Sequence, residues 1–319
     1  MAAMTVVRVA TYNVYLGADL TLVFGAESRE HLVEQAGLVH RQLVGTDFPA
    51  RAESIARLVV RERIDVLGMQ EVARWSRAPI ATDGVPGQPE VWCDFLDELL
   101  TALDRSGTPY DAHAANANFR GGAAISATEE MSVLGYNVTL VRRGSGLMVA
   151  GSATGEFRTR VEIPTGMPEL VLTVPRSWGS VDLVVDDHRF RFLNTHTEAY
   201  DACVRDAQRD ELLEVVGPDG PPVVVVGDFN AGPDEVGMPA AFRDAWAVAG
   251  DGGPGHTCGQ AADLGNLDSR LGERIDYVWV RGAGIDACRV VGDTESDRTT
   301  VARLWPSDHA CVLADIRLG

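Results

Sequence analysis

Residues 223–235 read VVVVGDFNAGPDE. Four consecutive valines suit a strand covered on both faces, because such a strand loses the alternation of apolar and polar residues. The run nevertheless ends on Asp228, with an amide two residues later at Asn230. Burying an unpaired carboxylate costs far more than a valine contributes, so Asp228 requires a partner.

The flanking sequence supplies the frame. VVRVATYN (6–13) reads as a buried strand that stops at a polar residue. Ala52, Ile55, Ala56 and Val59 recur at helical spacing in FPARAESIARLVVRERI, and IDVLGMQEV (64–72) returns to a strand. A Gly/Pro-rich loop, RAPIATDGVPGQPE, precedes VWCDFLDELLTALDRSG, which reads as an amphipathic helix stopped by Gly107 and Pro109. From about residue 110 to 197 the pattern changes to short β runs, YNVTLVRR, GLMVAGSA, VDLVV and RFRFLNTH. DACVRDAQRDELLEVV (201–216) is a second long helix before the valine strand, and RIDYVWV, IDACRVV and DHACVLADIRL close the chain. There is no internal repeat and no long linker, which predicts a single domain over residues 1–319. The expected class is α/β: two packed, mostly antiparallel sheets with helices on their outer faces. In such sheets strand ends lie beside strand starts, so polar residues from both meet at one edge.

Composition narrows the function. The apolar fraction of 45% over 319 residues allows a sizeable core. No apolar run approaches the roughly 20 residues that cross a bilayer, so no membrane span is expected. The first residues, MAAMTVVRVATYN, lack a basic segment ahead of an apolar one, and the expected location is cytoplasmic. Five cysteines, widely spaced and without a CxxC pair, read as reduced thiols. There is no lysine, which removes Schiff-base chemistry and the P-loop lysine together. A net charge of −18 disfavours a broad grip on duplex DNA, although bound cations and a local arginine cluster can offset it at one cleft.

Six short stretches place polar residues at strand edges: Asn13 in TYN, Glu71 in MQEV, His196 in NTH, Asp228 and Asn230 in GDFN, Asp276 in RIDY, and Asp308 with His309 in SDH. Singly, each has an ordinary explanation in a turn or a solvated strand end. An EF-hand reading of GDFNAGP fails, because Pro233 stands where the glycine belongs and Pro239 where the bidentate glutamate belongs. Asp228 and Asn230 fall on one side of an extended chain. Asp276 faces opposite to Ile275, Tyr277 and Trp279, and so needs a partner. Ser307 and Asp308 precede an alternating strand, which leaves them no helix to cap. Jointly the six supply carboxylates, amides and histidines, the ligands of a hard divalent cation (Mg²⁺ or Mn²⁺) with an acid/base pair.

In order and type these motifs resemble the endonuclease/exonuclease/phosphatase superfamily, which includes DNase I-like nucleases, apurinic endonucleases and neutral sphingomyelinases. The resemblance implies a four-layer α/β/β/α sandwich and a Mg²⁺-dependent phosphoester hydrolase, most simply a phosphodiesterase. By that resemblance Glu71 is the principal metal ligand, with Asn13 beside it and Asp308 contributing. Asp228 orients or deprotonates the attacking water, and its partners are Asn13, the metal-bound water and His309. Asn230 binds a phosphoryl oxygen; His309, held by Asp276, contacts or protonates the phosphate; His196 stabilises charge on the phosphoryl group or helps the leaving group.

The expected partner is a phosphoester substrate. For a nucleic-acid strand, Arg74, Trp75, Arg77, Arg120, Arg142 and Arg143 are the candidate path. For a small or lipid-like phosphodiester, the stretches GLMVAG and RSWGSV are candidates. An alternative from another class is a silent binding module, or a tailoring enzyme repurposed for a substrate without phosphate. The loop 256–274 is expected near the cleft, with His256 as an ordinary loop residue. The resemblance implies little about this loop or about residues 113–135.

Overall fold

The computed structural model describes residues 4–164, 166–167 and 171–319. The larger sheet runs Gly284–Val291, Cys311–Leu318, Thr5–Asn13, Val66–Pro79, Glu129–Arg142, Tyr110–Ala124, with Glu90–Asp94 alongside Val66–Pro79. The second sheet runs Arg243–Asp244, Asp276–Arg281, Val223–Asp228, His188–His196, Ser177–Val185, Met148–Glu156. Val161–Pro164 and Val171–Val174 form a separate antiparallel pair.

The sheets pack face to face. Val7, Val9, Val66 and Val312 of one meet Phe192, Val224, Val226 and Val278 of the other. Val223 and Val225 point the other way, into a core shared with Leu212 and Val216 of helix Ala202–Val216. The unbroken valine run is thereby explained, since both faces of that strand are buried. Helices Phe48–Glu62 and Phe95–Arg105 cover the outer face of the larger sheet through Phe48, Ile55, Val59, Phe95 and Leu99. The result is the α/β/β/α layering expected.

Two strand pairs are parallel, Thr5–Asn13 with Val66–Pro79 and His188–His196 with Val223–Asp228. Each is joined by a helical crossover, as parallel strands require. Parallel pairing brings Asn13 beside Gln70 and His196 beside Asp228. Asp276, the first residue of an antiparallel strand, pairs with Asp228.

Two local readings are corrected. Residues 90–94 are a strand, and the helix begins at Phe95, because the Asp94 carboxylate caps the Leu96 and Asp97 amides from an extended backbone. The strand at 66 runs on to Pro79, absorbing residues assigned to the loop. Helix Arg29–Gly45 and strand Tyr110–Ala124 had no prediction. The helix buries only Ala36, Gly37, Val39 and Leu43, too small a face to stand out. The strand carries two register shifts that break its alternation.

Candidate active site

The common edge of the two sheets gathers the polar strand ends. Asn13 is fully buried, and its amide Nδ2 donates to Glu71 Oε1 at 3.1 Å and to Asp228 Oδ2 at 3.0 Å. Its Oδ1 accepts the Tyr15 amide at 3.0 Å. One side chain thus links a carboxylate on each sheet. In this structure the Asn13 amide orients both carboxylates.

Glu71 is displaced from its strand by a bulge. The register of Val66–Pro79 against Glu129–Arg142 slips between Met69 and Val72, and Glu71 takes a left-handed φ of 56°. That conformation costs a non-glycine residue about 1–2 kcal/mol, so it requires support. Glu71 Oε2 accepts the Leu16 amide at 3.0 Å. More support comes from the opposite sheet. The Asn194 amide donates to the carbonyls of Met69 and Val138, each at 3.0 Å, and its Oδ1 accepts Gln70 Nε2 at 2.7 Å. Met69 and Val138 are the last pair before the slip, so a buried side chain clamps the bulge that presents Glu71.

Asp228 is 1% exposed. Besides Asn13 it accepts the Asn230 amide on Oδ1 at 2.9 Å. His196 Nε2 lies 3.5 Å and His309 Nε2 3.8 Å from Oδ2, beyond hydrogen-bond length. Burial first, then the charge of Asp276, pushes the Asp228 carboxyl up to about 6. The preceding Gly227 has φ 153°, and a Cβ there would lie 2.1 Å from the Thr195 carbonyl oxygen. Only glycine lets this strand end approach its neighbour so closely.

His309 Nδ1 is 2.8 Å from Asp276 Oδ2. Burial pulls the ring toward neutrality, but Asp276, Cys258 and Asp308 together hold its pKa well above the ordinary value. His196 goes the other way: burial, then Arg176 and His309, keep it well below, and so neutral. The two imidazoles, on either side of the Asp228 carboxylate, are thus pushed in opposite directions.

Asp308 reaches the site on a loop tied down from behind. Arg51, fully buried, donates to the carbonyls of Thr46, Val14, Tyr15 and Pro306. It stacks over Phe48 at 4.8 Å from the ring centre. Desolvation lowers its pKa to about 10, still cationic at neutral pH. Ser307 Oγ donates to the Asn13 carbonyl at 2.7 Å, closing the loop onto the first strand. Burial above all pushes the Asp308 carboxyl up to about 7, with the Glu71 charge adding to the rise.

Glu71, Asp308 and His196 line a cavity of about 320 Å³ with Tyr15, Tyr200 and Arg176. Arg176 is 7% exposed, and its Nε has no hydrogen-bond partner among the described residues. Glu198 Oε2 lies 3.6 Å from that Nε. Arg176 opens the stretch RSWGSV, a candidate for substrate contact in the sequence, but its charge was not singled out there. Arg51 did leave a signal, because it falls on the apolar stripe of its helix with Phe48, Ala52 and Ile55.

Two expectations are corrected. Asn230 is not on an extended chain: its φ is 47°, and its Nδ2 donates to the Thr197 carbonyl at 3.0 Å. It fixes the turn that presents Asp228. The arginine path is dispersed, since Arg142 pairs with Asp65, Arg143 with Asp111, and Arg77 stacks on Trp92. The loop 256–274 does reach the site, with Gln260 and Ala262 in the cavity wall and Cys258 bridged to His309.

Among the described residues, Asp228, Asp276 and His309 hold ligating atoms within 4.8 Å of one another. Their tightest contact is the His309–Asp276 hydrogen bond, which reads as an acid–base relay. Glu71 and Asp308 suit a hard cation better: both offer carboxylate oxygen to the same cavity, and their mutual repulsion calls for positive charge. No helix among the described residues is long and apolar enough to cross a membrane.

The model of the Endonuclease/Exonuclease/phosphatase family matches residues 10–309. Among solved structures, a Bacteroides thetaiotaomicron endonuclease/exonuclease/phosphatase family protein is 17% identical, with a TM-score of 0.62 over 100% of this chain and 97% of its own. Truncated Caenorhabditis elegans TDP2 is 20% identical, with a TM-score of 0.58 over 98% and 97% of the two chains. A mannosyl-6-phosphatase from Bacteroides thetaiotaomicron is 17% identical, with a TM-score of 0.59 over 97% and 99%. At these identities the likeness is one of fold. No curated protein matches the chain.

Proposed function

The chain belongs to the endonuclease/exonuclease/phosphatase family, and from that premise we propose that this phosphoester hydrolase is a divalent-metal-dependent phosphodiesterase. The observation that carries the reading is the hydrogen-bonded chain Glu71–Asn13–Asp228, with His309 locked on Asp276 at the same edge.

Phosphate ester hydrolysis needs accelerations of roughly 10¹⁷ or more, while one acid or base contributes about 10²- to 10⁴-fold, so several groups must act together. Asp228, raised to about 6, is poised to accept a proton from the attacking water near neutral pH. Asn13 holds it and Glu71 in fixed relation. His309, kept cationic by Asp276, donates a hydrogen bond or a proton to the phosphoryl group. His196 and Arg176, on the cavity wall, stabilise the charge that develops there. Glu71 and Asp308 would hold a hard divalent cation, Mg²⁺ or Mn²⁺, which would supply charge neutralisation.

The test is hydrolysis of bis-p-nitrophenyl phosphate, p-nitrophenyl phosphate, plasmid DNA and sphingomyelin, with Mg²⁺, with Mn²⁺ and with EDTA. The expected result is metal-dependent cleavage of a diester that Asp228→Ala abolishes. Cleavage of the monoester alone replaces the diesterase reading with a phosphatase one. No cleavage of any phosphoester sinks both and favours a repurposed site.

A further inference from the structure

A second cavity, also of about 320 Å³, adjoins the one at the reacting groups. The two share Leu20, Phe24 and Phe119 as a common wall. Across that wall the chemistry changes. The first cavity carries Glu71, Asp308, His196 and Arg176, whereas the second is faced by Val39, Trp75, Ile125, Met131 and Val133. Its one charged residue, Arg120, is exposed.

Much of the wall comes from one helix and two strands. Helix Arg29–Gly45 supplies Ala36 and Val39, and strands Val66–Pro79 and Glu129–Arg142 supply Trp75, Met131 and Val133. Trp75 is rigidly placed, its indole N–H donating to the Leu16 carbonyl at 3.0 Å, next to the amide that holds Glu71. Phe24 meets Tyr200 edge-on at 5.7 Å, so an aromatic pair spans the boundary between the cavities. Val39, Trp75, Met131 and Val133 are themselves buried, so the cavity is an apolar hollow let into the core beside the reactive centre, the form a ligand subsite takes.

We propose that the second cavity binds an apolar ester group of the substrate while the phosphoryl group occupies the first. The substrate class is then a phosphodiester with one aromatic or acyl-like substituent. This rests on the phosphodiesterase reading and deepens it. An apolar cavity of about 150 Å³ takes up benzene, so this one has room for a fused bicyclic ring or an alkyl segment several carbons long. A nucleotide, polar on every edge but its ring faces, fits the lining poorly.

The experiment has two arms. In the first, p-nitrophenyl methyl, butyl and octyl phosphates are hydrolysed in Mg²⁺, and kcat/KM is expected to rise about fourfold per methylene until the cavity is full. Ala36→Phe, which fills the cavity from the helix, and Ala123→Trp, which fills it from the strand rim, are each expected to bring the octyl-to-methyl ratio toward one. Two variants on different elements guard against one that fails to fold. In the second arm, methyl and octyl phosphate are titrated by tryptophan fluorescence, with Trp75→Phe as the control. Octyl phosphate is expected to bind far more tightly and to lose its signal in the control. If octyl phosphate binds preferentially but no diester is cleaved, the subsite stands and the phosphodiesterase reading falls. A flat chain-length series, or equal binding of the two phosphates, overturns the subsite.

Discussion

Asn194→Ala removes a side chain that touches no substrate, yet it should damage both stability and the site. Asn194 is fully buried between the sheets and makes three hydrogen bonds at the bulge that presents Glu71. After substitution the Met69 and Val138 carbonyls lose a donor in a place water cannot reach. Gln70 Nε2 keeps a second partner in Thr11 Oγ1 at 3.0 Å, so it suffers less. Each buried group left unsatisfied costs about 1–3 kcal/mol, and two of them give about 4 kcal/mol. That is a large share of the roughly 5–15 kcal/mol by which domains are stable. Urea denaturation should show a lowered midpoint at an unchanged slope. Phosphodiester turnover of the folded variant should fall as well, because Glu71 is held in its left-handed conformation partly by this clamp. A loss below about 1 kcal/mol with normal turnover would mean that the bulge holds itself, and the clamp argument would be wrong.

Three further outcomes are expected. Gly227→Ala drives a Cβ into the backbone of the adjacent parallel strand, which cannot step aside; thermal denaturation should register a loss above about 3 kcal/mol, and wild-type stability would contradict the close approach. Asp276→Asn keeps the shape of the side chain but removes the charge that holds His309 cationic, so kcat should fall by about two to four orders of magnitude while KM changes little. Mg²⁺ should raise the melting temperature by binding the folded state alone, and Glu71→Gln should remove that shift; a shift that survives the substitution places the cation elsewhere.

The polar strand ends were legible because each breaks a rule the rest of its strand obeys. A carboxylate after four valines, or an aspartate facing away from Tyr277 and Trp279, announces a partner even when the partner is unknown. The partners themselves were partly hidden. Nothing in TYN says that Asn13 bonds to Glu71 and Asp228 at once, since that depends on two sheets meeting at an angle. The bulge at Glu71 is equally silent, because a slipped register leaves no mark in the residue types of a mostly apolar strand. Arg51 was readable as a cation on an apolar stripe and was passed over. Its four bonds go to carbonyls, which every residue has, so its contacts could not have been named in advance. Asn230 misled for a different reason: alternation along a strand was extended past the strand's end, into a turn with positive φ.

The proposal that Asp228 activates water for attack on phosphorus has a direct test in isotope transfer. Hydrolysis of bis-p-nitrophenyl phosphate in ¹⁸O-enriched water with Mg²⁺ should place the label in the p-nitrophenyl phosphate product, at a rate that Asp228→Asn reduces by about three orders of magnitude. Label in the released nitrophenol, or turnover that survives the loss of Asp228, would contradict it.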